Sequence, residues 1–172
     1  MDAGEVRVAL GACVLIPAVL LQVTLAPNLS VAGAFPNLVL LAVVGWTLVA
    51  GAGSGLRWAL AGGLLLDLVA PGPFGLHALA LAAAAYAAGW CQRSFHADRL
   101  LLPFATGGLA TVVYNLVLLG VADTFGQNVV LLPALQSWVA PAAVYDAVLM
   151  PAAFLLLRGL DACLPQRSAA PG

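Results

Sequence analysis

The sequence predicts an all-α fold: a polytopic membrane bundle of six transmembrane helices forming one integral domain over residues 1–172. Three observations carry this expectation. The composition is 63 % hydrophobic and only 8 % charged, where soluble domains carry roughly 25 % charged residues. Six apolar runs approach the ~20 residues needed to cross a bilayer. All six cations are arginines, Arg7, Arg57, Arg93, Arg99, Arg158 and Arg167, and in a six-span arrangement every one falls on the same side.

The runs are 8–26, 37–55, 56–70, 78–91, 100–122 and 138–158. The first is longer than the ~7–15 residues of a signal-peptide core, so it is expected to be a retained helix. Arg57 and neighbouring glycines separate the second run from the third, and Pro71, Gly72, Pro73 and Gly75 separate the third from the fourth. Hairpins fit these breaks. The connections 27–36, 71–77 and 123–137 hold no arginine. The positive-inside rule therefore puts both termini in the cytoplasm. Trp58 and Trp90 are expected at the inner interface, Trp138 at the outer one, and Trp46 in the packed interior. The segment Asp123–Ser137 is too long for a tight turn and too apolar for a solvated loop. A short helix lying in the outer interface fits it.

The formal net charge is −1 and there is no lysine. Without a basic patch a nucleic-acid partner is excluded; lipid is the expected surroundings. Cys13, Cys91 and Cys163 are odd in number and widely spaced. They are expected as reduced, structural thiols, with no metal and no cofactor. His77 and His96 fall in loops with no ligand at metal spacing and are expected as exposed loop residues. No nucleophile elbow, phosphate-binding loop or zinc-helix pattern is present, so no catalytic residue is assigned.

Four strongly polar side chains lie within the runs: Gln22, Asp67, Asn115 and Asp146. Counted from the nearest arginine, they sit roughly 15–24 Å above the inner boundary, at about 1.5 Å per residue. Such groups are costly against lipid and tend to face one another, so one cluster is expected, with Asn115 and Asp146 as partners of Asp67. Paired that way, Asp67→Asn would be mild and Asp67→Leu worse. Small residues share their helix faces at a spacing of four: Ala59 and Gly63 below Asp67, Gly107 and Thr111 below Asn115, Ala142 before Asp146. Close helix packing follows from such stripes. Pro151 should kink the last helix nearby. The cluster could be packing glue, a substrate site or a partner contact, and the residues alone leave all three open.

Read in order, several motifs resemble the rod shape-determining protein MreD family. They are Leu20-Leu21-Gln22 with Leu25-Ala26-Pro27, then Phe35-Pro36-Asn37-Leu38, where the family has Pro-Asp-Leu. The most specific is Gly62-Gly63-Leu64-Leu65-Leu66-Asp67-Leu68 followed by Gly72-Pro73-Phe74-Gly75-Leu76-His77-Ala78-Leu79. The last is Val144-Tyr145-Asp146-Ala147-Val148-Leu149-Met150-Pro151, where Asn is usual in place of Asp146. A carboxylate is thus missing at Asn37 and present at Asp146.

The resemblance implies a non-enzymatic inner-membrane scaffold or regulator of cell elongation and peptidoglycan synthesis. It implies MreC as partner and, indirectly, a RodA-type glycosyltransferase, its class B penicillin-binding protein and MreB. It also implies a helical core similar to the substrate-binding subunits of energy-coupling-factor transporters. The rival reading is therefore a vitamin-type small-molecule binding subunit.

Overall fold

The computed structural model of the chain describes residues 3–24, 35–70, 72–94, 101–125 and 131–163. The described residues are helical apart from short connections. The helices are α1 (Ala3–Thr24), α2 (Leu38–Ala50), α3 (Ala52–Val69), α4 (Leu76–Ser94), α5 (Leu101–Thr124), α6 (Leu131–Ala134) and α7 (Ala140–Ala162), with a π-turn, Leu135–Val139, between the last two. Among the described residues, two stretches, Leu101–Thr124 and Leu132–Ala162, are long and apolar enough to cross a membrane.

Helix α2 is the axis of the bundle. It packs on α1, α3, α4, α5 and α7, and Val39 to Leu48 are all buried. This explains a sequence that is apolar all round, since a helix enclosed on every side has no polar face to present. The other helices each bury one face, and their outward residues, such as Leu68, Leu79, Leu116 and Leu156, are large and apolar.

The α2–α3 boundary falls at Gly51, not at residue 55. Gly51 adopts φ 85°, a left-handed conformation that glycine takes at no steric cost, so the chain reverses there. Ser54 and Gly55 begin α3 instead of ending α2. A Cβ on Gly55 would run into the Thr47 side chain, so that glycine lets the two helices cross closely. Ser54 Oγ accepts a bond from Trp46 Nε1 at 2.9 Å. Trp58 is 6 % exposed and stacks on Trp46 with ring centroids 4.4 Å apart. It is therefore a core residue and not the interfacial one expected, because the turn at Gly51 folds it back over α2. Trp90 and Trp138 do lie at the surface.

The segment before the last run does not form a separate helix. Residues 131–134 run through the π-turn into α7, and Ala140 N–H bonds Leu135 O, five residues back. Pro141 accounts for the widened turn. It has no N–H to give, and its ring crowds the carbonyl one turn earlier. A local π-turn takes up that misfit without breaking the helix. Pro151 lies inside α7, which continues through it.

Candidate functional site

The functional groups collect at one end of the bundle, where α1, α3 and α5 end and α2, α4 and α7 begin. The described arginines Arg57, Arg93 and Arg158 are exposed towards the opposite end. Helix α2 has 13 residues and α5 has 24. At about 1.5 Å per residue these are ~20 Å and ~36 Å long. The central helix thus stops short of its neighbours. A buried helix start exposes N–H groups that need partners, and three side chains supply them. Asn37 caps its own helix, its Oδ1 accepting from Leu40 N–H at 3.0 Å. Gln22 Oε1, from α1, accepts from Leu38 N–H at 2.6 Å. Asp146 Oδ1, from α7, accepts from Asn37 N–H at 3.0 Å. The other carboxylate oxygen of Asp146 accepts from Thr111 Oγ1 at 2.8 Å. Asp146 is only 1 % exposed, so these bonds and the positive end of α2 are what hold it there.

Asp67 does the corresponding task for α4. Gly75 N–H and Ala78 N–H donate to Oδ2 at 3.0 and 3.3 Å, and His77 N–H donates to Oδ1 at 2.9 Å. His77 Nδ1 lies 2.8 Å from the same oxygen. A carboxylate has about four lone-pair sites, and three backbone N–H groups and the His77 ring nitrogen fill them. This corrects the expected pairing with Asn115 and Asp146: Asp67 has no capacity left for either. Depth along the bundle was no guide to the partner, because the nearest unpaired donors were backbone groups at the start of the next helix. Gly75 makes the approach possible, with φ 93° in the turn before α4. Gly72 also has positive φ; Pro71 lies outside the described residues, and Pro73 O accepts from Leu76 N–H at 3.3 Å.

The four polar residues do not form one hydrogen-bonded cluster. Asn115 Nδ2 donates back to Thr111 O at 2.8 Å, within α5. What joins three of them is a cavity of about 340 Å³ above the start of α2, onto which Gln22, Asn115 and Asp146 open. Asp67 is absent from its wall, but its partner His77 is present. Asn37, Thr111, Tyr114 and Trp138 complete the polar and aromatic lining, with Phe35, Leu66 and Leu118 among the apolar groups.

His77 corrects a second expectation. Its side chain is 17 % exposed and tied to Asp67, whose side chain is 1 % exposed. The tether follows from sequence order, since Asp67 ends one helix ten residues before His77 starts the next. Tyr114 joins the site as well; it is 6 % exposed, its ring centroid is 6.4 Å from that of His77, and its phenol meets the Asn37 side chain. A tyrosine one residue from Asn115 gave no separate signal. His96 lies outside the described residues.

The small residues sit where the helices come closest. A Cβ on Gly63 would collide with the Ala78 backbone, and one on Gly107 would lie 2.6 Å from Met150 Cβ. Ala59 is fully buried. Thr111 Oγ1 lies 3.0 Å from Gly107 O and 2.8 Å from Asp146 Oδ2, and its single proton is shared between them. Ala142 lines the cavity. Cys13, Cys91 and Cys163 are free thiols.

No curated protein and no solved structure matches the chain. A family model described as rod shape-determining protein MreD matches residues 5–160. With the match covering nearly the whole chain, and with the Gly-rich hairpin and the two capping carboxylates inside it, the chain belongs to the MreD family, a family of rod shape determination.

Proposed function

We propose that the chain is a non-enzymatic scaffold in the bacterial inner membrane that supports cell elongation by holding MreC at its outer cavity. In this reading the helices make six spans, with α6, the π-turn and α7 as the sixth. Both termini are cytoplasmic, and the end bearing the cavity faces outward. The arginines at the opposite end support that orientation. One observation carries the scaffold reading. The two carboxylates of the site are tied to the framework: Asp67 meets three N–H groups at the start of α4 and the His77 ring, and Asp146 joins Asn37 N–H at the start of α2 to Thr111 of α5. They support a fixed outer surface: Asp67 is saturated and set back from the cavity, and Asp146 is held between the start of α2 and Thr111. The groups open to the cavity are amides, an imidazole, a phenol, an indole, the Thr111 hydroxyl and the Asp146 carboxylate, which suit recognition of a hydrogen-bonding and apolar surface. The RodA-type enzyme, the class B penicillin-binding protein and MreB would then be reached through MreC.

The cavity itself favours a second reading. A volume near 340 Å³ lies at the lower end of small-molecule sites, which run from about 300 to 1,000 Å³. A vitamin-type binding subunit would use it directly. The two readings separate on purification from native membranes. The scaffold reading expects MreC to co-purify, and depletion to round rod-shaped cells. Recovery of an ATPase module with a tightly bound vitamin, and no MreC, would replace it with the transporter reading.

A further inference from the structure

We infer that His77 is a specificity-determining residue of the outer cavity, held by Asp67 so that its Nε2 accepts a hydrogen bond from whatever occupies the site. The inference rests on the reading above that the cavity is the surface that engages MreC. Asp67 supplies the first half of the argument. Its oxygens face N–H groups from Gly75, His77 and Ala78, so it acts as a carboxylate that only accepts. The ring nitrogen 2.8 Å away must then be the donor, which places a proton on Nδ1. In its neutral form the imidazole carries one N–H, so with Nδ1 as the donor Nε2 is left with a lone pair. The Nδ1 edge of the ring faces Asp67, which does not line the cavity, whereas His77 does. With Nδ1 committed to Asp67, the edge bearing Nε2 is the one we assign to the occupant. Among the described residues it makes no hydrogen bond.

The backbone bond from His77 to Asp67 fixes the ring's origin, and the side-chain bond fixes its rotation. A carboxylate behind an imidazole sets its tautomer and direction, as in metal sites and catalytic dyads. Here the result is an oriented acceptor beside Tyr114 and the amides of Gln22 and Asn115. The site then selects a partner that brings an N–H or O–H donor to that point.

Two measurements test this on the full-length chain in lipid nanodiscs, with purified MreC as the probe. The sequence has two histidines, so His96→Gln leaves one imidazole for nitrogen-15 NMR. Protonated Nδ1 with unprotonated Nε2 is expected, and the Nε2 resonance should move when MreC binds. His77→Asn keeps a donor to Asp67 in place of Nδ1 but has nothing in place of Nε2. It should weaken MreC binding about fivefold to tenfold, the scale of one lost hydrogen bond, with unchanged thermal unfolding. Ala142→Trp, which fills the cavity, should weaken binding further. The opposite tautomer, or an Nε2 resonance that ignores bound MreC, overturns the inference. If Ala142→Trp abolishes binding while His77→Asn does not alter it, the cavity reading stands and the role of His77 falls. If Ala142→Trp, still folded by its unfolding curve, binds MreC normally, both fall together.

Discussion

Asp67 and Asp146 are the same residue type in the same kind of place, yet they should respond oppositely to the same substitution. Asp67 receives four N–H donors. An asparagine there offers one oxygen and turns its own NH₂ against two donors. Each buried group left unpaired costs about 1–3 kcal/mol, so Asp67→Asn should lower thermal stability and membrane abundance markedly, contrary to the tolerance expected for a carboxylate paired with Asn115. Asp146 receives one N–H and one hydroxyl. Its asparagine keeps an oxygen for Asn37 N–H and can donate to Thr111 Oγ1. Thr111 then keeps its own proton for Gly107 O, which it already reaches at 3.0 Å. Asp146→Asn should therefore unfold within about 1 kcal/mol of the parent, in keeping with the amide usual at this position in the family pattern. Thermal unfolding of both variants in detergent checks the pair. Equal effects would mean that the hydrogen bonds described here do not decide the role of either acid.

At the scale of elements, the contact between α3 and α4 is set by one glycine. A methyl group at Gly63 meets the Ala78 backbone, which cannot rotate away as a side chain could. Overpacking of this kind costs about 1–3 kcal/mol, and it would also draw Asp67 off the start of α4. Gly63→Ala should lower the unfolding temperature and the yield of folded protein. Gly53, exposed near the start of the same helix, has nothing within 4 Å of its added Cβ. Gly53→Ala should instead stabilise by up to about 1 kcal/mol, since glycine is the poorer helix residue. Opposite signs in one helix distinguish a packing effect from helix propensity. The shortness of α2 is the other element-level fact with a consequence. It leaves the space above Asn37 that the longer neighbours enclose, and the cavity is that space.

At the scale of the molecule, reporter fusions test the membrane arrangement. A fusion at Gln127 should report the outside and one at Gly172 the cytoplasm. The same location for both would break the six-span scheme.

Apolar runs and punctuating glycines and prolines were enough to read the chain as all-helical, because burial in an apolar bundle or lipid imposes the composition that the sequence displays. Gln22, Asp67, Asn115 and Asp146 could be singled out, because polar groups in such runs are expensive and few. The Asp67–Gly75–His77 hairpin was visible as a motif, but its bonding was not. Sequence alone could not tell that Asp67 closes the helix that follows it, that Asp146 closes one more than a hundred residues away, or that Trp58 turns inward onto Trp46. Those outcomes depend on which backbone N–H groups are left bare once the helices have packed, and on where a short central helix ends among longer ones. The kinds of residue needed are fixed locally by periodicity and polarity; the partner each one takes is fixed only by the neighbours that the tertiary fold brings within hydrogen-bonding distance.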